Sequence, residues 1–196
     1  MTMDRERVLR DAAELLSRNA NATQDEIARA AGISRATLHR HFAGRDALVR
    51  ALEELAIRQL EEALDRARTD EGPAREALRR LVAESEPIAA FMAFLFTENQ
   101  LFENGATNAG WERVDARIHA LFQRGQEAGE FRIDLTPAWL TEAFHSLVAG
   151  GAWAVQAGKT AARDYPYMVS ELLLGGVTRQ DRPQDRPREP SKETRT

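Results

Sequence analysis

The sequence predicts an all-α protein, on three observations. No stretch of its 196 residues shows a convincing period-two alternation. Apolar side chains recur three and four residues apart along most of the chain, and the breaks between such runs fall at glycine, proline and short polar clusters. A hydrophobic content of 43% with 30% charged residues is that of a globular chain able to bury a core. No apolar run approaches the ~20 residues of a membrane helix, so no membrane partner is expected. The absence of cysteine excludes disulfides and thiolate metal sites. The charged opening MTMDRERVLRDAAELL reads as a helix rather than a signal peptide, which places the protein in the cytoplasm.

The first amphipathic helix spans about Asp4 to Asn19, with Val8, Ala12, Leu15 and Leu16 on one stripe. From Thr23 to Phe42, TQDEIARAAGISRATLHRHF reads as two short helices hinged at Gly32, where glycine takes a left-handed turn without steric cost. Ile27 and Ala28 face inward before the hinge and Ile33 packs after it. Ser34 stands where an N-cap belongs, and Leu38 and Phe42 bury one face of the second helix. Arg35, Thr37, His39, Arg40 and His41 are left around the remainder. This apolar skeleton has helix-turn-helix spacing, and its cationic outer face points to DNA.

After a break at Ala43 and Gly44, a long helix from about Arg45 to Arg68 carries Leu48, Leu52, Leu55, Leu60 and Leu64, and ends at Asp70, Gly72 and Pro73. A helix from Pro73 to Glu84 follows, and Pro87 opens another through Phe94 and Phe96. Residues 104–110 read as loop. The next helix runs from Trp111 to about Gly129, with Val114, Ile118, Leu121 and Phe122 on one face. Thr136 and Pro137 form an N-cap and a first-position proline for a helix to about Gln156. A last helix covers about Ala161 to Gly175. The final 19 residues hold no large apolar side chain, repeat proline with charge, and are expected to be a disordered tail. Residues 1–50 carry nine arginines against seven acids, so the negative charge of the chain, −4 in all, lies beyond them. A mildly basic head on an acidic body fits an operator-binding domain joined to one that avoids DNA. The expected organisation is residues 1–46 as DNA-binding domain, 47–177 as helical body and 178–196 as tail.

The order of helix, TQDEIARAAGISRATLHRHF and GRDALV, over roughly residues 5–52, resembles the N-terminal domain of the TetR family of transcriptional repressors. GEFRIDLTPAWL and MVSELLLGGV resemble later segments of that family. The resemblance implies that Thr37 faces the groove and that His39, His41 and Arg45 reach backbone phosphates. His39 stands where the family most often has tyrosine, and the loop SRNANAT lacks the family's glycine–aromatic pair. Arg35 and Arg40 are the candidates for base edges, because a guanidinium grips guanine with two bonds. Thr23 is a candidate cap and phosphate contact, and Ser34 belongs to the same DNA-binding set. His39 and His41, two apart on a helix, point about 200° away from each other and cannot chelate together, so no metal is expected there.

The resemblance also implies a ligand cavity between the later helices. Its candidate lining is Phe91, Phe94, Trp111, Asp115, His119, Phe122, Trp139, Phe144 and His145, aromatic residues with a few polar groups at helical spacing. The effector's identity is not legible, and no cofactor is implied. Small residues in the last two helices accompany an apolar set of Leu147, Val148, Gly151, Met168, Leu172 and Leu173. That set resembles the family's four-helix interface between two copies. The expected function is therefore a ligand-responsive regulator, most simply a repressor, that binds double-stranded operator DNA as a homodimer. An activator of the same fold is the alternative. A helical protein-interaction adaptor is disfavoured by Arg35, Arg40 and Arg45. An enzyme is disfavoured because no nucleophile elbow, phosphate loop, metal-ligand pair or cysteine is present.

Overall fold

A computed structural model describes residues 5–98 and 108–178. The expected loop over 104–107, Phe102, and the tail from 179 onward lie outside the described residues. Within them the chain forms α1 (Arg5–Arg18), α2 (Gln24–Ala30), α3 (Arg35–His41), α4 (Arg45–Ala67), α5 (Ala74–Leu95), α6 (Ala109–Glu127), α7 (Pro137–Gln156) and α8 (Tyr165–Val177). The all-α expectation holds: extended pairing among the described residues amounts to one isolated antiparallel bridge, Phe131 with Thr178. That bridge carries ordered structure through Thr178, one residue into the expected tail.

Each apolar stripe finds its partner. Val8, Leu9, Ala12 and Leu16 of α1 are buried with Ile27 and Ala28 of α2 and with Leu38 and Phe42. The same core continues without a gap through α4 and α5 to Val177 of α8. α4 packs along α5, α5 lies against α7 and α8, and α6 closes the other side against α4, α5 and α7. The amide of Gln156, at the end of α7, donates to the Ser17 carbonyl of α1 (2.6 Å). No described helix is long and apolar enough to cross a membrane.

Two element boundaries differ from expectation. Pro87 does not open a helix; α5 runs through it from Ala74 to Leu95. A proline removes one N–H and crowds the preceding turn, but buried side chains on both sides of it, Leu78, Leu81 and Val82 before and Ile88, Ala89 and Met92 after, keep the two halves in one helix. The last helix starts at Tyr165 rather than near Ala161, because Ala162–Asp164 form a single tighter 3-10 turn first.

The N-terminus of α5 has no cap from its own sequence, since Pro73 occupies the N-cap position without a side-chain acceptor. Glu130 supplies it from over fifty residues away. Its two carboxylate oxygens accept the backbone N–H groups of Ala74 and Arg75, each at 3.0 Å. Arg124 secures the same corner by donating to the carbonyls of Gly72 (2.6 Å) and Thr69 (2.8 Å). Burial pulls the Glu130 carboxyl upward, but the N–H donors of Arg75 and Ala74 and the charges of Arg124 and Arg75 outweigh it. The group is held below the ordinary carboxylate range. Next to it, the Phe131 ring lies on Gly125 so closely that a Cβ there would come within 2.1 Å of the ring.

A depressed carboxyl stabilises the fold above its unfolded pKa and loses that contribution as pH falls through the folded value. Glu130→Gln should therefore lower stability at neutral pH by about 1 kcal/mol, the usual scale of a helix cap. Thermal unfolding at neutral and acid pH checks this: the gap between variant and wild type should close once the carboxyl is protonated.

Candidate nucleic-acid interface and ligand cavity

The two helices of the hinge are fixed by local chemistry. Thr23 caps α2 in a reciprocal box: its hydroxyl accepts from the Glu26 backbone N–H (3.3 Å), while the Glu26 carboxylate takes the Thr23 backbone N–H (2.7 Å). Those donations, first from the Thr23 backbone and then from its hydroxyl, hold the Glu26 carboxyl below its ordinary value. Gly32 turns the chain at φ 64°. Ser34 caps α3 by accepting from the Thr37 N–H (3.1 Å), and the two hydroxyls lie 2.9 Å apart. Thr23 and Ser34 thus already serve the fold. Gly44 connects α3 to α4 at φ 94° and ψ −179°, a conformation almost confined to glycine.

With Leu38 and Phe42 buried, Arg35, His39, Arg40 and His41 are exposed and Thr37 is half-buried at the same edge. Arg35 leans on Asp25 of α2 at 3.3 Å, an exposed contact that a phosphate or base could replace. Arg5 lies over the Phe42 ring, 5.0 Å from its centre, and adds a cation beside α3. This short helix presents guanidinium, imidazole and hydroxyl donors, and among these side chains Arg35 alone faces a carboxylate.

Arg45, the expected phosphate contact at the start of α4, is already engaged within the chain. It donates to the carbonyls of Ala20 (2.8 Å) and Ala22 (3.4 Å) and to the Glu98 carboxylate (2.7 Å). Three acceptors, two of them backbone oxygens of the α1–α2 turn, hold it there.

In the body, Leu60, Ser85, Ile88, Met92, Phe96, Phe144, His145 and Val148 enclose a cavity between α4, α5 and α7. It admits little more than one water molecule. His145 is its polar element. The ring binds Asp115 of α6 at 2.8 Å and meets the edges of Phe144 (5.6 Å) and Phe96 (6.2 Å). Of the expected ligand residues, the structure brings together Phe144, His145 and Asp115.

The others take different places. Phe91 and Phe94 are buried and stack on each other at 6.5 Å, and Phe122 packs on Phe131 at 5.9 Å, all as core. Trp111 donates its indole N–H to the buried Glu53 of α4 (2.9 Å). His119 is half-buried on α6, outside the lining, and Trp139 is 60% exposed on the outer side of α7. Leu60, Ile88 and Met92 were not among the expected lining residues, because an inward residue lining a cavity has the same periodicity as one filling a core.

The α7–α8 face also sorts differently. Val148 and Leu173 are buried, and Gly151 lies under Tyr165 and Val169 of the same chain, so these three join α7 to α8 rather than face outward. The Tyr165 hydroxyl donates to the Val148 carbonyl (3.2 Å); burial, and then the charge of Glu86, push its pKa up and keep it a donor. Leu147 is half-buried. Met168 and Leu172 are exposed as expected, and Trp139, Trp153 and Tyr167 extend the exposed apolar set.

Residues 8–52 match the family described as bacterial regulatory proteins, tetR family. The chain is 33% identical over 176 residues to the HTH-type transcriptional regulator NfxB of Pseudomonas aeruginosa, covering 88% of this chain and 94% of that relative. It is 28% identical over 173 residues to the HTH-type transcriptional repressor LfrR of Mycolicibacterium smegmatis, covering 88% and 90%. Among solved structures, LfrR from Mycobacterium smegmatis in complex with proflavine is similar with a TM-score of 0.75 at 25% identity, over 90% of this chain and 97% of that one.

The Arg40 side chain is exposed on α3 and makes no hydrogen bond or ion pair with another described residue. Arg40→Ala should leave the unfolding temperature unchanged while weakening binding to a cognate duplex by about 1–3 kcal/mol, the worth of a bidentate base contact. Paired thermal-melt and fluorescence-anisotropy measurements separate the two effects, and unchanged affinity would remove Arg40 from the interface.

Proposed function

The chain belongs to the tetR family of bacterial transcriptional regulators, and from that premise we propose that it is a repressor. In this reading it binds a palindromic operator as a homodimer and leaves it when a small molecule enters its body. The observation that carries the proposal is the exposed edge of α3, where Arg35, Thr37, His39, Arg40 and His41 are presented by a helix locked at both ends. Residues 1–46 form the reading head and 47–177 the body. One small head binds weakly; two heads related by a twofold axis read half-sites about one helical turn apart.

The second copy is proposed to sit on the α7–α8 face, where Leu172 is 63% and Tyr167 71% exposed beside Trp153 and Met168. Large apolar side chains left exposed on two packed helices ask for a partner. The effector is proposed to enter beside His145. Aromatic rings at Phe96 and Phe144 with the Asp115 carboxylate nearby suit a flat organic cation. LfrR in complex with proflavine makes that dye a sensible first probe for this chain.

Selection of bound sequences from random double-stranded DNA tests the first part, and enrichment of a palindrome is the expected result. Affinity for the recovered duplex should fall steeply with salt, as neutralising roughly 6–10 phosphates requires. A flat salt response would overturn the reading. Proflavine should release the protein from that duplex; retention at saturating dye would reject a cationic aromatic effector.

A further inference from the structure

We propose that the Arg45–Glu98 ion pair is the latch through which the effector cavity controls the reading head, an inference that rests on the repressor reading above. Its parts are two sets of contacts joined by the backbone turn that ends α5. Phe96 is the cavity wall residue at the end of α5, 37% exposed, whereas Leu60, Met92, Phe144 and Val148 are buried. A cavity with room for about one water must open to take a multi-ring molecule, and its least buried apolar wall is the one that yields at least cost in lost packing.

Phe96 is joined to Glu98 by a rigid turn. The Thr97 N–H and hydroxyl both donate to the Phe94 carbonyl (2.9 and 2.7 Å), and the Glu98 N–H donates to Leu95 (3.0 Å). In the proposed scheme a guest that pushes the Phe96 ring outward carries the end of α5, and with it the Glu98 carboxylate. That carboxylate is only 13% exposed and holds Arg45 at 2.7 Å. Arg45 opens α4 and clasps the carbonyls of Ala20 and Ala22, directly before the Thr23 cap of α2. The latch thus joins the end of α5, the start of α4 and the turn that positions the reading helices. In the proposed scheme the pair is made in the operator-competent state and broken when the effector is bound. An effector shifts the equilibrium only by its difference in affinity for the two states. Losing the pair should move the protein toward the released state before any effector arrives.

The test uses the full chain, the duplex recovered by selection and proflavine as probe. Glu98→Ala should weaken effector-free operator binding by about 5-fold or more, within the usual range of coupling between sites. It should also tighten proflavine binding and bring the operator affinities with and without dye closer together. Glu98→Gln, which keeps the volume but not the charge, should fall between wild type and Glu98→Ala; it also serves if the alanine variant does not fold. Effector-free operator affinity within 2-fold of wild type in both variants would overturn the latch. If wild type itself ignores proflavine, the effector assignment falls, and the effector-free comparison still decides the latch.

Discussion

Everything in this molecule depends on α4 being buried on several sides at once. Its apolar residues, from Leu48 through Leu52 and Leu55 to Leu64, belong to one continuous core that runs from Val8 in the first helix to Val177 in the last. Burying a leucine is worth about 1.5–3 kcal/mol, so parting the head from the body along this helix would cost several such terms together. The head cannot swing as an independent module. Any movement of the reading helices has to be a small repacking of shared side chains, and interfaces of that kind switch between discrete arrangements rather than deform smoothly.

That constraint makes the polar links between head and body informative. Apolar packing supplies most of the adhesion between the two parts, and directional polar contacts sharpen the arrangement it allows. The hydrogen bond from Gln156 to Ser17 and the charge-assisted contact of Arg45 with Glu98 do set a register, since their geometry tolerates little displacement. A head that meets phosphates and base edges at fixed spacing is sensitive on that scale.

The helix-turn-helix was legible in the sequence because its determinants are local. A cap at Thr23, a glycine at 32, a cap at Ser34 and inward residues at Ile27 and Leu38 all act within one or two turns of themselves. The long helices were legible for the same reason, through their apolar period. What escaped was settled across distance. Pro87 reads as a boundary until the burial on both sides of it is known. Glu130 reads as an ordinary surface acid, although it caps α5. Arg45 stands where a phosphate contact is expected, and its pairing with Glu98, 53 residues later, has no local signal. Trp139 and Phe122 were expected in the ligand lining and Val148 between copies, yet they lie on the outer face, in the core and in the cavity wall, because amphipathic period says which side of a helix is apolar but not what that side meets.

If the effector enters beside His145 as proposed, the near-absence of space there bears on how the protein tells molecules apart. A site already open would respond to any greasy compound small enough to slip in. A packed one sets a threshold: a guest must return more free energy than the contacts it breaks among Ile88, Met92, Phe96 and Phe144. In that reading fragments and stray metabolites would fall short, and only a molecule that fills the opened volume and satisfies the imidazole–carboxylate pair would clear the bar. The packed wall would then act as a noise filter placed ahead of the proposed switch.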